Sequence, residues 1–355
     1  MGAALAATAA ATLALTSCSA PAESDTAGSQ LRVVATTTQL ADFTRQVGGD
    51  DVTVTGLLTP GASAHHFDPT PADLLDLGRA DVLVVNGAGL ESFIDSAVES
   101  AGFSGTTIVA ADGVDLAQAA EITAEEGAGH TDDAHAEDAH ADEEAHGEEA
   151  GHTDEEAHAE DAHDHGEVNP HLWTSPQYAA DMVQEIARGL AAADPERADD
   201  YTARADAYVA QLGELDAWIT TQFDRVPEAD RVLVSGHDGM PYYLHDYGIR
   251  FAGSILPSFE DNAEPSAAQV DALVAAIREQ GVKAVFVESS MSPKLAQTIA
   301  SEAGVTVVDA ESLYVDSLGV AGSGADTYLG ATIHNTRTIL DAWGVTPDAL
   351  PSTLS

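Results

Sequence analysis

Two kinds of hydrophobic pattern alternate along much of the chain. Short runs that are apolar at consecutive positions alternate with segments whose apolar residues recur every three or four positions. Before residue 112 the consecutive runs are LRVVATT, VTVTGLL, DVLVVNG and TTIVAA, and the helix-like segments between them include TPADLLDLGRA and LESFIDSAVES. Runs that are apolar on both faces are typical of buried parallel strands covered by helices. This part of the chain therefore predicts an α/β lobe.

The same alternation returns after residue 226. The strand-like runs there are RVLVSG, IRFAGSIL, VKAVFVES and VTVVDA, and helical spacing occurs in SAAQVDALVAAIREQG, SPKLAQTIASEAG and ADTYLGATIHNTRTILDAWG. Between the two series, residues 195–226 keep helical spacing throughout, with a proline at their start. The predicted fold class is α/β, with two lobes that each contain a mainly parallel β-sheet flanked by helices and are joined by one long rigid helix.

In folds of this kind, ligands bind outside the carboxyl ends of the strands, which places the binding site in the cleft between the lobes. We divide the chain into a leader, a tether, a first lobe with an insertion, a linking helix, a second lobe and a tail. These parts span residues 1–18, 19–30, 31–193 (with the insertion at 121–167), 194–226, 227–345 and 346–355.

The start of the chain is a small-residue apolar stretch, AALAATAAATLALTSCSA, which contains the single cysteine, Cys18. The sequence Leu15-Thr16-Ser17-Cys18 resembles a bacterial lipobox, in which the cysteine becomes the lipidated first residue of the exported protein. The alternative is an incidental cysteine in an Ala-rich helix. The lipobox interpretation predicts an extracytoplasmic protein that is lipid-anchored to the outer face of the bacterial cell membrane. Residues 19–30 then form a disordered tether.

The segment 130–167 cannot form a core, because it contains no apolar residue larger than alanine. It has no Lys or Arg, and AHAEDAH occurs in it twice, as is tolerated in an inserted loop. Neutral imidazoles bind zinc near pH 7, and carboxylates raise the local cation concentration. The segment is therefore predicted to gather metal weakly; the alternative is a solvated acidic loop without a metal role. Its eight histidines are His130, His135, His140, His146, His152, His158, His163 and His165.

The formal net charge is −47. Phosphate binding needs clustered Lys and Arg, so this charge argues against a nucleic-acid partner. Beyond the N-terminus no apolar run approaches the roughly twenty residues of a membrane helix, which argues against a helical membrane bundle. We expect the protein to be a monomer.

Several histidines and one aspartate stand where loops should leave predicted strands. His65 and His66 follow the second strand, His171 follows the insertion, His237 follows the first strand of the second lobe, and Asp316 follows its last strand. Loops at strand ends converge in space, so these groups could meet in one cleft. Each could equally be a turn or surface residue. The two other histidines, at positions 245 and 334, lie in helix-like segments and are predicted not to be ligands.

The segment PGASAHHFDPTPADLLDLGRADVLVVNGAGLE resembles the first metal-site region of the solute-binding receptors of zinc and manganese ABC importers, the cluster A-I metal receptors. In that family a ligand histidine stands two residues before an aromatic-acidic-proline triplet. Phe67-Asp68-Pro69 fits the triplet, which selects His65 over His66. Ser63-Ala64 stands where Asp-Pro is common.

Three further segments resemble the later motifs of the family in the same order. NPHLWTSP selects His171, VLVSGHDGMPYYLHDYG selects His237, and LYVDSLG selects Asp316. VFVESSMSPKLAQTIASEAGV places Glu288 near the site as a supporting residue, and Asn169 replaces an acidic residue in the second motif. The resemblance implies a metal site made of three histidines and one aspartate.

The resemblance also implies a function. Receptors of this family carry a metal ion to an ABC transporter permease and, through it, to its ATPase, and they are not enzymes. Zinc receptors of the family often carry a His- and acid-rich insertion between the first and second motifs, where this chain has one. Imidazole ligands require deprotonation, so metal affinity is expected to fall below about pH 6.5.

The expected cargo is Zn²⁺, because three imidazoles and one carboxylate supply the four ligands that zinc prefers. Mn²⁺ is the alternative, since receptors with this ligand set have been assigned to manganese and a bidentate Asp316 would raise the coordination number. A zinc hydrolase would need an open coordination position and a general base, as in H-E-x-x-H, and the sequence lacks that motif. A surface adhesin or zinc-storage lipoprotein remains a further alternative.

Overall fold

The computed structural model describes residues 30–128, 168–256 and 264–354. Cys18 and the eight histidines of the insertion lie outside these residues. Among the helices of these three ranges, none combines the length and the hydrophobicity that a membrane span needs.

The first lobe contains a four-stranded parallel sheet in the order β2-β1-β3-β4. Its central strand β1 pairs with both neighbours, so Val33 lies between Val54 and Val82. The strands are β1 (Leu31–Ala35), β2 (Val52–Gly56), β3 (Val82–Val85) and β4 (Thr106–Val109). The helices are α1 (Thr38–Gly48), α2 (Pro71–Leu77), α3 (Ile94–Ala101), α4 (Leu116–Ala128) and α5 (Pro176–Ala193).

The second lobe repeats this arrangement, with a parallel sheet in the order β6-β5-β7-β8. The strands are β5 (Val232–Ser235), β6 (Arg250–Ser254), β7 (Ala284–Glu288) and β8 (Thr306–Leu313). The helices are α7 (Pro241–Asp246), α8 (Ala267–Glu279), α9 (Pro293–Ala303) and α10 (Tyr328–Ala342). The prediction of two lobes with parallel sheets is therefore confirmed.

A long helix, α6 (Ala198–Phe223), joins the lobes after a 3₁₀ turn at Pro195–Arg197. Its buried hydrophobic residues, among them Tyr201, Tyr208 and Leu212, belong to one hydrophobic core that also includes residues of both lobes. A rigid connection follows, because close-packed interiors resist deformation. The helix α5 packs along α6 and has no counterpart in the sequence prediction.

Local sequence signals explain where helix α2 begins. Thr70 caps α2 by accepting from the Asp73 amide, while the Asp73 carboxylate accepts from the Thr70 amide, which forms a capping box. Pro71 occupies the first turn, where a missing amide hydrogen costs nothing. This cap fixes the end of the loop that carries the first histidine motif.

The predicted insertion at 121–167 begins inside α4, since that helix continues to Ala128. Residues 121–128 are rich in Ala and Glu, which favour helix.

Both sheets have a switch point at which a ligand site is expected. The connection after β1 leads to β2 at one side, whereas the connection after β3 leads to β4 at the other. Diverging connections leave a crevice at the carboxyl ends of β1 and β3, and β5 and β7 form the equivalent crevice in the second lobe.

Candidate metal centre

Four side chains from separate loops converge in the cleft between the lobes. His65 lies between β2 and α2, His171 shortly before α5, His237 after β5 and Asp316 after β8. One possible ligand atom from each lies within 4.8 Å of the others. His171 and His237 are fully buried, Asp316 is 1% exposed and His65 is 9% exposed. The structure thus brings together the four residues that the sequence motifs select.

The spacing of these atoms suits one small cation. His171 Nε2 lies 3.1 Å from His65 Nε2 and 3.2 Å from His237 Nε2. Asp316 Oδ1 lies 3.3 Å from His171 Nε2 and 3.2 Å from His237 Nε2. Four ligands at zinc-to-nitrogen distances of about 2.0–2.1 Å would be about 3.3–3.4 Å apart in a tetrahedron. The donor set therefore fits a four-coordinate metal ion after small adjustments.

Asn169 fixes the orientation of the His171 ring. Its Oδ1 lies 2.7 Å from His171 Nδ1 and also accepts from the His171 amide at 3.1 Å. An amide oxygen only accepts, so Nδ1 carries the hydrogen and Nε2 presents its lone pair to the cleft. The Asn169 Nδ2 group donates to the Asp238 carbonyl at 2.7 Å. Asn169 therefore connects the loop of His171 to the loop of His237.

Glu288 lies beside His237 Nδ1, the ring nitrogen that does not face the other ligands. This carboxylate lies at the end of β7, is fully buried, and places Oε1 3.4 Å from His237 Nδ1. The same oxygen accepts from the Gly236 amide at 3.1 Å. A carboxylate against Nδ1 directs Nε2 towards the cation position. Glu288 thus lies beside the site, where the motif resemblance puts it.

The loop of Asp316 is held by the first lobe as well as by its own strand. The Val315 carbonyl accepts from Gln39 Nε2 and from Trp173 Nε1, both at 2.9 Å. Both donors are buried and belong to the first lobe. Asp316 is therefore positioned by both lobes.

A buried carboxylate network that the sequence analysis did not identify lies behind His171. Glu91 accepts from Thr36 Oγ1 and from the Asn86 amide, both at 2.6 Å. Asn86 Nδ2 in turn donates to the Pro170 carbonyl at 3.0 Å, next to His171 in the chain. In the sequence, the sign of this network is Glu91, which stands two positions after the turn NGAG (residues 86–89). The last three residues of that turn have positive φ.

The surroundings shift the pKa values of His171 and His237 in opposite directions. Burial lowers the pKa of His171 to about 3, so this ring is neutral at physiological pH. Burial acts in the same direction on His237, but Asp316 and Glu288 outweigh it and raise the pKa of His237 well above its ordinary value. The facing imidazoles hold the pKa of Asp316 well below its ordinary value. Without metal, His237 therefore carries a proton that an incoming cation must displace.

The remaining histidines of the described residues lie outside this group. His66 is exposed beside His65. His245, in α7, lies 3.5 Å from the Asp246 carboxylate. His334, in α10, packs its ring against Tyr314.

Substitution of Asn169 is expected to weaken metal binding without removing a ligand. Asn169→Ala leaves the His171 ring free to rotate, and supporting residues of this kind change metal affinity by about 10–100-fold. Asn169→Asp keeps the acceptor for Nδ1 and loses the donor to Asp238, so it should retain more affinity than the alanine variant. Competition with a chelator measures both. Equal affinities for Asn169→Ala and the wild-type chain would contradict this role.

Comparison with known proteins places these observations in a family. A family model described as ZnuA, zinc-uptake complex component A periplasmic, matches residues 33–342. The manganese-binding lipoprotein MntA of Bacillus subtilis (strain 168) is 30% identical, over 94% of this chain and 96% of its own length. The zinc-binding protein TroA of Treponema pallidum (strain Nichols) is 26% identical, over 87% of this chain and 88% of its own length.

The solved structure of the periplasmic zinc-binding protein TroA of Treponema pallidum has the same architecture. It superimposes with a TM-score of 0.69 and 25% identity, over 88% of this chain and 99% of that one. The family match covers both lobes and all four loops that meet in the cleft. Proteins of this family are extracytoplasmic metal-binding transport receptors and not enzymes. On that match, the chain belongs to the ZnuA family of periplasmic metal-uptake components.

Proposed function

We propose that the protein is an extracytoplasmic, high-affinity Zn²⁺ receptor that delivers zinc to the permease of an ABC importer and, through it, to its ATPase. The single observation that carries this proposal is the convergence of three imidazole groups and one carboxylate in a buried cleft. His65, His171, His237 and Asp316 are the proposed ligands, and Asn169 and Glu288 orient two of the rings.

Two features support zinc as the cargo. Nitrogen donors outnumber oxygen donors by three to one, and zinc favours four ligands of this kind, whereas manganese favours oxygen-rich sites. Both short distances from Asp316 to the imidazoles involve the same oxygen, Oδ1. A carboxylate that contributes one oxygen keeps the coordination number at four.

Manganese is the second candidate, and a specific observation favours it. The relative MntA, described as a manganese-binding lipoprotein, is 30% identical over nearly the full length of both chains. TroA, described as zinc-binding, is 26% identical. Affinity alone does not separate the two cargoes, because almost any site of nitrogen and oxygen ligands binds zinc more tightly than manganese.

Growth under metal limitation separates the two cargoes. A strain that lacks this gene should stop growing when a chelator removes zinc from the medium, and added zinc should restore growth. Restoration by manganese and not by zinc would favour the manganese receptor. A plasmid that encodes the His171→Ala variant serves as the control, since it should not complement the deletion.

The insertion and the N-terminus fit the same proposal. Asn169 lies two residues beyond the insertion, and its main-chain N–H donates to Thr123 Oγ1 in α4 at 3.1 Å. The Tyr242 hydroxyl forms hydrogen bonds with both residues. Both ends of the insertion are therefore attached next to His171. We propose that its histidines gather zinc weakly and pass it to the cleft, while a lipid on Cys18 anchors the monomeric receptor to the membrane through the 19–30 tether.

Replacing residues 130–166 with a short Gly/Ser linker should remove several weak zinc sites and leave one tight site. The replacement keeps α4 and the Thr123–Asn169 contact, and so keeps the proposed ligands in place. The composition of the insertion does not allow it to form a core, so we expect each zinc that it binds to carry the entropy cost of ordering its backbone, which weakens each such site. Calorimetric titration counts the sites. A loss of tight-site affinity greater than about tenfold, or about 1.4 kcal/mol, would mean that the insertion supplies a ligand or a lid.

A further inference from the structure

The two oxygens of the Asp316 carboxylate have different partners. Oδ1 lies 3.3 Å from His171 Nε2 and 3.2 Å from His237 Nε2. Oδ2 accepts a hydrogen bond from Ser290 Oγ at 3.0 Å. One oxygen therefore faces the metal ligands, while the other is held by a hydroxyl group outside the ligand set.

The position of Ser290 is fixed by the second sheet. Ser290 lies two residues after Glu288, in the loop between β7 and α9. Glu288 pairs with Leu313 across β7 and β8, and the Ser289 amide donates to the Leu313 carbonyl at 3.0 Å. Leu313 precedes Asp316 by three residues, so the same strand pair that ends in the Asp316 loop also holds the hydroxyl against it.

We propose that Ser290 determines metal specificity by keeping Asp316 monodentate, so that the site stays four-coordinate and discriminates against manganese. This inference rests on the proposed metal-receptor function and adds a specificity residue to it. A bidentate carboxylate would bring Oδ2 to the metal and raise the coordination number to five. Manganese gains from an additional oxygen ligand, whereas zinc prefers four ligands. A metal ion at Oδ2 would compete with the Ser290 hydroxyl for the electron density of the same oxygen, so this hydrogen bond disfavours bidentate binding.

Three variants of the full chain test the proposal. Ser290→Ala removes the hydroxyl, Ser290→Thr keeps one, and Ser289→Ala is the matched control at the adjacent, similarly buried position, whose contact with Leu313 is made by the main chain. Each is loaded with less than one equivalent of Co²⁺, a spectroscopic substitute for zinc, so that the tight site fills first. Tetrahedral cobalt absorbs visible light much more strongly than five- or six-coordinate cobalt. The dissociation constants for Zn²⁺ and Mn²⁺ are measured on the same samples.

We expect strong visible absorption from the wild-type, Ser290→Thr and Ser289→Ala chains and weak absorption from Ser290→Ala. Zinc affinity of Ser290→Ala should fall about tenfold while manganese affinity does not fall, so the zinc-to-manganese preference should shrink about tenfold. An unchanged cobalt spectrum in Ser290→Ala, or equal losses of zinc and manganese affinity, would overturn the proposal. Thermal unfolding of the metal-free variants shows that they fold.

The outcome is separable from the cargo question. Weak cobalt absorption in the wild-type chain would also overturn the inference, because Asp316 would then not be holding the site at four ligands. Strong absorption that Ser290→Ala weakens supports it whichever metal restores growth of the deletion strain. Failure of the growth test would count against the proposed zinc transport and would leave the cobalt result unchanged.

Discussion

Replacing any one of His65, His171 and His237 with alanine should weaken zinc binding by about 100–1,000-fold. Protein zinc sites with four ligands bind with about 10–16 kcal/mol, so loss of one ligand removes about 3–4 kcal/mol, and about 1.4 kcal/mol corresponds to a tenfold change. The effect should be largest at His171, since its Nε2 lies within 3.3 Å of the other three ligand atoms. Competition with a chelator of known affinity measures the change.

His66→Ala is the matched control for this experiment. It alters the residue next to His65 in an exposed position and should leave affinity unchanged. Thermal unfolding of the metal-free proteins shows whether a variant fails to bind because it fails to fold. If His66→Ala abolishes binding and His65→Ala does not, the register of the first motif is wrong.

Lowering the pH from 7.5 to 5.5 should reduce zinc affinity by more than the roughly tenfold loss that one histidine with the ordinary pKa of about 6.5 would cause. Asp316 and Glu288 raise the pKa of His237, so the metal-free site holds a proton on this ring at neutral pH. Zinc and the proton compete for the same nitrogen, so affinity falls by a factor of ten for each unit of pH below that pKa and levels off above it. His171, with a pKa lowered to about 3, adds nothing in this range.

Calorimetry in buffers of different ionisation enthalpy should find about one proton released for each zinc bound at neutral pH. Glu288→Gln removes one of the two carboxylates that raise the pKa of His237, so affinity should level off at a lower pH in this variant. An affinity that stays constant between pH 7.5 and 5.5 would contradict an imidazole site.

The hydrophobic pattern predicted the alternation of strands and helices, and the resemblance to the family's motifs selected the four residues that meet in the cleft. Strands β3, β5 and β7 are buried along their whole length, and consecutive apolar residues are typical of such strands. The motifs that contain His171, His237 and Asp316 lie beside predicted strands or the insertion, which placed these residues in loops. Helix α5 also carried a signal, since its buried residues recur every three or four positions. It was missed because the segment lies between the insertion and the longer linking helix.

The supporting contacts could not be predicted in this way. Ser290 and Asp316 are 26 residues apart in the chain, and their bond depends on the pairing of β7 with β8. In the same way, the pKa of His237 depends on two carboxylates, Asp316 and Glu288, that are distant from it in sequence. From the sequence alone, the ordinary histidine pKa predicts that metal affinity falls below about pH 6.5. The structure extends that loss to higher pH, because the buried carboxylates stabilise the protonated ring.

X-ray absorption at the zinc edge, on the full chain loaded with less than one equivalent of zinc, tests the four-ligand site most directly. Zinc at this occupancy fills the tight site before the insertion. The geometry predicts four nitrogen or oxygen neighbours at about 2.0–2.1 Å, with the outer-shell scattering of three imidazole rings. Five or six neighbours, or the scattering of fewer than three imidazoles, would contradict a site made of His65, His171, His237 and a monodentate Asp316.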